Sequence, residues 1–283
     1  MKKFFIFLTS LILFSFVPIP KNFVCASKED AINNPPMMAI VIDDFGGYDQ
    51  SGVETMLSID APLTCAIMPH LENTKLNSKQ ALEKGKEVIV HMPMQACVHL
   101  PDLWYGSSYI GNTDNKQNVY DKLDKAFESV EGAKGFNIHI GSGVCQHSNV
   151  ISNVYDYATE KNYFFLDSRT HLNTICDKVA NEKSVVYLGR DEFLEPNGDR
   201  SYNGVKKHLL VGANLALEKG YSIVIGHVGA HGGENTAQAI KDTIKEIRDL
   251  GIEIVPLSKL NDNLNLSYVN RKQDTIDNHV SKS

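Results

Sequence analysis

The chain has 283 residues, of which 42 % are hydrophobic and 22 % charged, with a formal net charge of −6. That length fits a single α/β barrel better than an ordinary small domain, and an acidic balance without a basic stripe argues against a nucleic-acid binder. Cys65, Cys97, Cys145 and Cys176 lie outside the N-terminal segment, too few for a disulfide scaffold, with one or two bridges and free buried thiols both open.

The chain begins Met1-Lys2-Lys3, runs apolar from Phe4 to Pro18, and reaches Val24-Cys25-Ala26. That is the basic region, apolar region and small-residue cleavage site of a secretory signal peptide. The run is short for a membrane span, so the expectation is a signal over residues 1–26 and no stable span afterwards. An uncleaved anchor is the rival reading, and the bulky Asn22-Phe23-Val24 argues against lipidation of Cys25. Cleavage removes Lys2, Lys3 and Lys21 and no acid from the net −6, leaving −9 on a secreted or cell-envelope protein. Residues 27–37 are polar, include Asn-Asn-Pro-Pro and read as a linker. The folded domain is expected over 38–260, and the polar residues 261–283 as a disordered tail.

From Met38 onward, short apolar runs alternate with longer amphipathic ones. The apolar runs are Met38–Ile42, Leu63–Met68, Glu87–Val90, Gly135–Ile140, Tyr163–Leu166, Ser184–Leu188, Ser222–Ile225 and Ile252–Val255. Continuous Val/Ile-rich runs read as strands buried on both faces. Helical patterns fall at 50–58, 72–85, 116–131, 147–161, 202–219 and 233–249, and several stop at glycine, as at Gly85, Gly220 and Gly251. Such alternation implies a parallel sheet with helices outside. Seven or eight units fit a distorted (β/α) barrel, with an open doubly wound sheet as the alternative. The segment 94–115 is too long for a tight βα loop and is expected to form a lid or wall over the strand ends.

Polar residues gather at the C-terminal ends of these strands. In order they are Asp43-Asp44, His70, His91, His139, Asp167, Arg190-Asp191 and His227. A parallel barrel builds its active site at that end. One carboxylate and two histidines from neighbouring strands make a metal site of the type that keeps a position open for water. Asp44, His91 and His139 are the expected ligands, of zinc or another divalent cation. The cation offsets one aspartate and leaves Asp43 as a general base. The stretch Asp44-Phe45-Gly46-Gly47 also reads as a simple turn, and His70 as either a turn residue or a ligand or substrate contact. Asp167 is taken as a substrate contact, and Trp104 and Tyr105 as aromatics able to stack on a sugar ring. Ser142 in "HIGSG" lacks the glycine that a nucleophile elbow needs at position 140, where Ile stands.

The pieces "IVIDDFG", "HMPMQ", "NIHIGSG", "FFLDSRT", "RDEFLE", "IGHVG" and "VPLS" together resemble the divergent polysaccharide deacetylase family, over residues 38 to 258 and in the family's order. The resemblance implies a distorted (β/α) barrel, a divalent metal that is usually zinc, and hydrolysis of N- or O-acetyl groups on a polysaccharide. It implies that Asp43 is the base, Asp44 a ligand and His227 the acid, with Arg190 or Asp191 orienting the base or the acid. Related deacetylases take both metal histidines from a His-x-x-x-His stretch, whereas here Gln95 stands four residues after His91, so the third ligand falls to His139. The alternative function is a non-catalytic carbohydrate- or cell-wall-binding protein that keeps the same groove.

Overall fold

The structure is a computed structural model that describes residues 35–101 and 104–280. The signal expected over residues 1–26 lies outside the described residues. The described chain runs β1 (Met37–Phe45), α1 (Val53–Ser58), β2 (Thr64–Ile67), α2 (Thr74–Glu83), β3 (Glu87–Met94), α3 (Lys116–Ser129), β4 (Gly135–Ile140), α4 (Ser148–Glu160) and β5 (Phe164–Asp167). It continues through α5 (Cys176–Glu182), β6 (Leu188–Gly189), β7 (Glu192–Phe193), α6 (Tyr202–Lys219), β8 (Tyr221–His227), α7 (Gly233–Asp249), β9 (Glu253–Ile254) and α8 (Leu257–Val280).

The strands form one sheet in the order β6-β5-β4-β3-β2-β1-β8-β7, with β9 added to β1. Every ladder in it is parallel. This is the distorted (β/α) barrel expected from the alternation. The path starts and ends on β6 and β7, which are consecutive in sequence.

Strand parity divides the core in two. Met38, Ile40 and Ile42 of β1, Cys65 and Ile67 of β2, Val88 and Val90 of β3, Phe136 and Ile138 of β4 and Phe165 of β5 pack outward under the helices. Their neighbours Ala39, Val41, Ala66, Ile89, Phe164, Leu166, Ile223 and Ile225 fill the barrel interior. Side chains of a strand alternate between faces, so Asp43, His91, Asn137, His139 and His227 continue the interior rows beyond the core. Asp167 belongs to the opposite parity from Leu166 and Phe164.

Asp44 breaks that alternation. The β1–β2 register shifts between Ile42 and Phe45, and Asp44 has left-handed backbone at φ 68°. A local irregularity of this kind re-aims a side chain. It is the reason two successive strand residues serve one site.

Several helix ends follow local chemistry. Asn115 caps α3 by accepting from the Asn118 N–H at 2.9 Å, and Ser201 caps α6 by accepting from the Gly204 N–H at 3.1 Å. Gly220 ends α6 at φ 88°, where a Cβ would be strained.

The structure adds α5, which no expected helical pattern covers, and departs from the expected elements in three further places. The run Ser184–Leu188 enters the sheet only at Leu188–Gly189, and β7 has two residues, too few for any periodicity to register. The tail expected to be disordered from 261 instead continues α8 to Val280. Leu257, Leu260 and Leu264 pack against the barrel interior from that helix. Their i, i+3, i+7 spacing is helical and was masked by the polar residues between them.

The end of the barrel opposite the polar rim is closed by α8. Thr64 accepts from the Leu257 N–H at 3.0 Å, and Glu87 accepts from the Ser258 N–H at 3.1 Å and from the Thr64 hydroxyl at 2.9 Å. These bonds satisfy backbone donors at the start of α8.

Candidate metal centre and active site

Three donor atoms converge at the C-terminal rim. The Asp44 Oδ1 atom lies 3.4 Å from His91 Nε2 and 3.4 Å from His139 Nδ1. The two imidazole nitrogens are 3.0 Å apart. Zinc bonds of about 2.0–2.1 Å in tetrahedral geometry separate neighbouring donors by about 3.3–3.4 Å. Among the described residues, Asp44, His91 and His139 form the one group spaced to share an ion.

The partners of each imidazole fix its tautomer. His91 Nδ1 lies 2.7 Å from the Asn137 amide oxygen. Asn137 is itself oriented by donating from Nδ2 to Asp43 Oδ1 at 2.8 Å. His91 therefore carries its hydrogen on Nδ1 and turns a lone pair on Nε2 toward Asp44. His139 Nε2 donates to the Trp104 carbonyl at 3.1 Å, which leaves the Nδ1 lone pair facing the same point. Histidine ligands are held in this way by hydrogen bonds from the ring nitrogen away from the metal. Two lone pairs and a carboxylate aimed at one point repel each other unless a cation lies between them. The donor set fits a divalent metal.

The electrostatics agree. Burial disfavours the charged form of Asp44, but its contacts with His139, His231 and His91 outweigh it and hold the carboxyl well below its usual range. Burial dominates at Asp43 and raises its pKa, with His91 and His227 pulling the other way. Burial also opposes charge on His91, yet Asp43 and Asp44 raise its pKa. The carboxylates around His91 thus favour positive charge at this point.

His227, at the end of β8, pairs across the β1–β8 ladder with Asp43. Its Nδ1 donates to Glu195 Oε2 at 3.1 Å, and its backbone N–H donates to Glu195 Oε1 at 3.1 Å. Thr236 donates to the same Oε1 at 2.7 Å. Burial works against the imidazolium, but the Glu195 hydrogen bond and the charges of Asp44 and Asp43 prevail and raise its pKa to about 9.

These groups open into a cavity of about 630 Å³. Its apolar wall includes Met68, Leu71 and Phe193, and its mouth carries the exposed rings of Tyr48 and Trp104. The segment 94–115 forms part of this wall, as expected: Met94 bridges to Ile110 and Trp104 lines the cavity.

The structure thus brings together Asp43, Asp44, His91, His139, His227 and Trp104. It does not bring the other sequence candidates to the cavity. Asp167 is buried on the outer parity and satisfied by its own loop and by Tyr187. It accepts from the Arg169 N–H at 2.8 Å, the Thr174 hydroxyl at 2.9 Å and the Tyr187 hydroxyl at 2.9 Å. Its neighbours Ser168 and Thr170 line the cavity instead. Tyr105 is buried, its hydroxyl accepting from the Ala96 N–H at 3.1 Å and its ring stacked on Tyr109. His70 is an exposed turn residue with left-handed backbone.

Arg190 and Asp191 orient neither base nor acid by direct contact. Arg190 donates to the carbonyls of Ser168 at 2.7 Å and Arg169 at 2.9 Å, and so holds the loop after β5. Asp191 pairs with Lys219 and accepts from the Ile223 N–H. Asn137 holds Asp43 and Glu195 holds His227, while His231 donates to Asp44 Oδ2 at 2.7 Å. Asn137 was findable, since it stands two residues before His139 on the same strand face. Glu195 follows a two-residue strand and His231 lies in a loop, so neither has a periodicity to flag it.

Gln95, which stands where related deacetylases carry a second histidine, accepts from the Asn112 N–H at 2.9 Å and ties down the 94–115 segment. Cys65, Cys97, Cys145 and Cys176 are free thiols. Among the described residues no helix is long and apolar enough to cross a membrane.

The family model for divergent polysaccharide deacetylases matches residues 40–261. An uncharacterized protein of Haemophilus influenzae is 29 % identical over 192 residues, covering 67 % of this chain and 66 % of its own length. The uncharacterized protein YibQ of Escherichia coli is 26 % identical over 217 residues, covering 74 % of this chain and 65 % of its own. The chain thus spans about two thirds of the length of these curated relatives. Among solved structures, the uncharacterized protein ATU2773 of Agrobacterium tumefaciens C58 shares the fold with a TM-score of 0.72 at 18 % identity, over 80 % of this chain and 89 % of that one. The Bc1960 peptidoglycan N-acetylglucosamine deacetylase shares it with a TM-score of 0.52 at 12 % identity, over 79 % and 87 %.

Proposed function

This chain belongs to the divergent polysaccharide deacetylase family, and from that premise we propose that it is an exported, metal-dependent hydrolase that removes acetyl groups from a cell-wall or extracellular polysaccharide. One observation carries the reading. Three donors converge with unshared pairs toward one point, between a carboxylate suited to take a proton and an imidazolium suited to give one.

Asp44, His91 and His139 would hold the metal, most simply zinc. When bound, the ion supplies Lewis acidity, activating a water and polarising the acetyl carbonyl. Asp43 takes the proton of the attacking water. It is held for this by Asn137, and the cation's charge favours its ionised form. His227 gives a proton to the departing amine or alkoxide, and Glu195 keeps that imidazole oriented and charged until transfer. The apolar wall excludes competing water, and Tyr48 and Trp104 offer faces for sugar rings.

Gln95 in place of the second family histidine favours a binding-only protein. That case weakens once His139 supplies the third donor, because binding alone requires neither a general base nor a charged imidazole held by a buried glutamate. Acetate release from acetylated glycans, measured with zinc-loaded protein and again after chelation, tests the reading. Chelator-sensitive release is expected. Zinc-loaded protein that binds glycan and releases no acetate would leave the binding-only reading in its place. The export part of the proposal rests on residues 1–26, and N-terminal sequencing of the mature protein should give a start near Ser27.

A further inference from the structure

We propose that His231 is a positioning residue: its Nδ1–H holds the outer oxygen of Asp44, so that this carboxylate meets a metal ion through Oδ1 alone. The inference rests on the metal reading above.

Asp44 needs such a partner. Its left-handed backbone at φ 68° and the register shift beside it remove it from the regular ladder, so the sheet does not fix the rotation of its carboxylate. Oδ1 faces His91 and His139, each at 3.4 Å. Oδ2 is left, and it meets His231 Nδ1 at 2.7 Å. A carboxylate free to rotate can grip a cation with both oxygens. That second grip would fill the position a hydrolytic site keeps open. A hydrogen bond on Oδ2 removes the choice.

The loop that carries His231 is pinned by contacts that do not use its imidazole. The Gly229 N–H donates to the Ser51 carbonyl at 2.9 Å. Gly229 has φ 63°, and a Cβ on it would lie 2.8 Å from the Asp49 carbonyl oxygen. A Cβ on Gly232 would meet the His227 carbonyl oxygen at 1.9 Å. Arg200 donates to the Ala230 carbonyl. Glycine is therefore required on both sides of His231. The side chain is 56 % exposed, so its burial contributes little to stability; its ring meets that of His227 edge-on at 6.1 Å, and Asp44 is its hydrogen-bonding partner.

The test is zinc affinity, measured by competition with a chromophoric chelator, together with the visible spectrum of the cobalt(II)-substituted protein. His231→Ala should bind zinc about 10–100-fold more weakly, the loss typical when a hydrogen bond supporting a ligand is removed. Its cobalt bands should weaken as the second oxygen joins and the coordination number rises. His231→Asn places an amide N–H where Nδ1 stood, and it should restore both affinity and spectrum. Wild-type affinity and spectrum in His231→Ala would overturn the inference. So would an asparagine variant as weak as alanine, which would make the imidazole itself a ligand. Failure of wild-type protein to bind zinc would remove the metal reading along with it. Zinc binding that depends on His231 in the expected way, without acetate release from any glycan, would support the inference and remove only the deacetylase reading.

Discussion

The two ends of the barrel both bury charge, and they treat it in opposite ways. At the closed end, Glu87 takes its hydrogen bonds from Thr64 and from the start of α8, and Lys86 donates to the carbonyls of Ile59 and Ala61. Each charge there is met by fixed groups of the same molecule. At the open end, Asp43, Asp44, His91 and His139 face one another, and the hydrogens that would quiet the two imidazoles are drawn off to Asn137 and Trp104. The lesson is that burial of charge does not mark a site. The mark is a set of buried charges whose hydrogen bonds are arranged so as to leave something over.

The most severe way to break the comparison is His91→Ala. It removes one of three converging donors, and stoichiometric zinc should be lost, with acetate release falling to background. Metal analysis of the purified variant checks this, and wild-type zinc content would mean that the donors are wrongly assigned. Asp43→Asn should be nearly as damaging to catalysis but not to the metal. The amide keeps the shape and loses the basicity, so activity should fall by about 10²–10⁴-fold while zinc content is unchanged. Loss of zinc instead would make Asp43 a ligand.

Glu195→Gln sharpens the contrast by altering only the support of a charge. Glu195 is the foremost group opposing burial at His227. Without its charge the imidazolium should lose its proton at lower pH. The alkaline limb of kcat/KM should then move down by about 1–3 pH units. Stability should respond with the same sign in metal-free protein. A histidine whose folded pKa is raised to about 9 adds stability that is complete below about 6.5, its unfolded value, and is lost as pH rises through 9. Urea titrations at pH 6 and pH 9 should show that loss in wild type and a smaller one in Glu195→Gln. The mildest change is at the closed end. Glu87→Ala should cost about 1–3 kcal/mol of stability, the penalty for stripping buried donors of their acceptor, with zinc affinity and acetate release unchanged. A functional defect there would show that the two ends are not independent.

Much of this contrast was readable in advance. Long β-rich runs ending in Asp or His marked both the barrel and its working end, because parity and strand direction follow from spacing alone. The errors came where position along the chain does not fix direction. Asp167 stands at a strand end like His91, yet its parity sends it outward into its own loop. Tyr105 follows Trp104 directly and faces the core while its neighbour faces the cavity. Glu195 and His231 follow a two-residue strand and a glycine-bound turn, where no repeat exists to read. The role of Asn137 depends on two partners, at positions 43 and 91, that only the folded sheet brings to it.

The pairing of β1 with β8 has a kinetic consequence. Residues Met37 to Asp43 are matched one for one with Tyr221 to His227, so the strand that bears both aspartates needs a partner about 180 residues further along the chain, a separation that slows folding. A growing polypeptide holds Asp43, Asp44, His91 and His139 once β4 is made, yet lacks the His227 that pairs with Asp43 until about four fifths of its length is available. Segments β2 to β5 can pair in sequence while β1 keeps one edge open to other chains, an edge of the kind that invites aggregation. Arrival of His227 beside Asp43 and closure of that edge are therefore one late event.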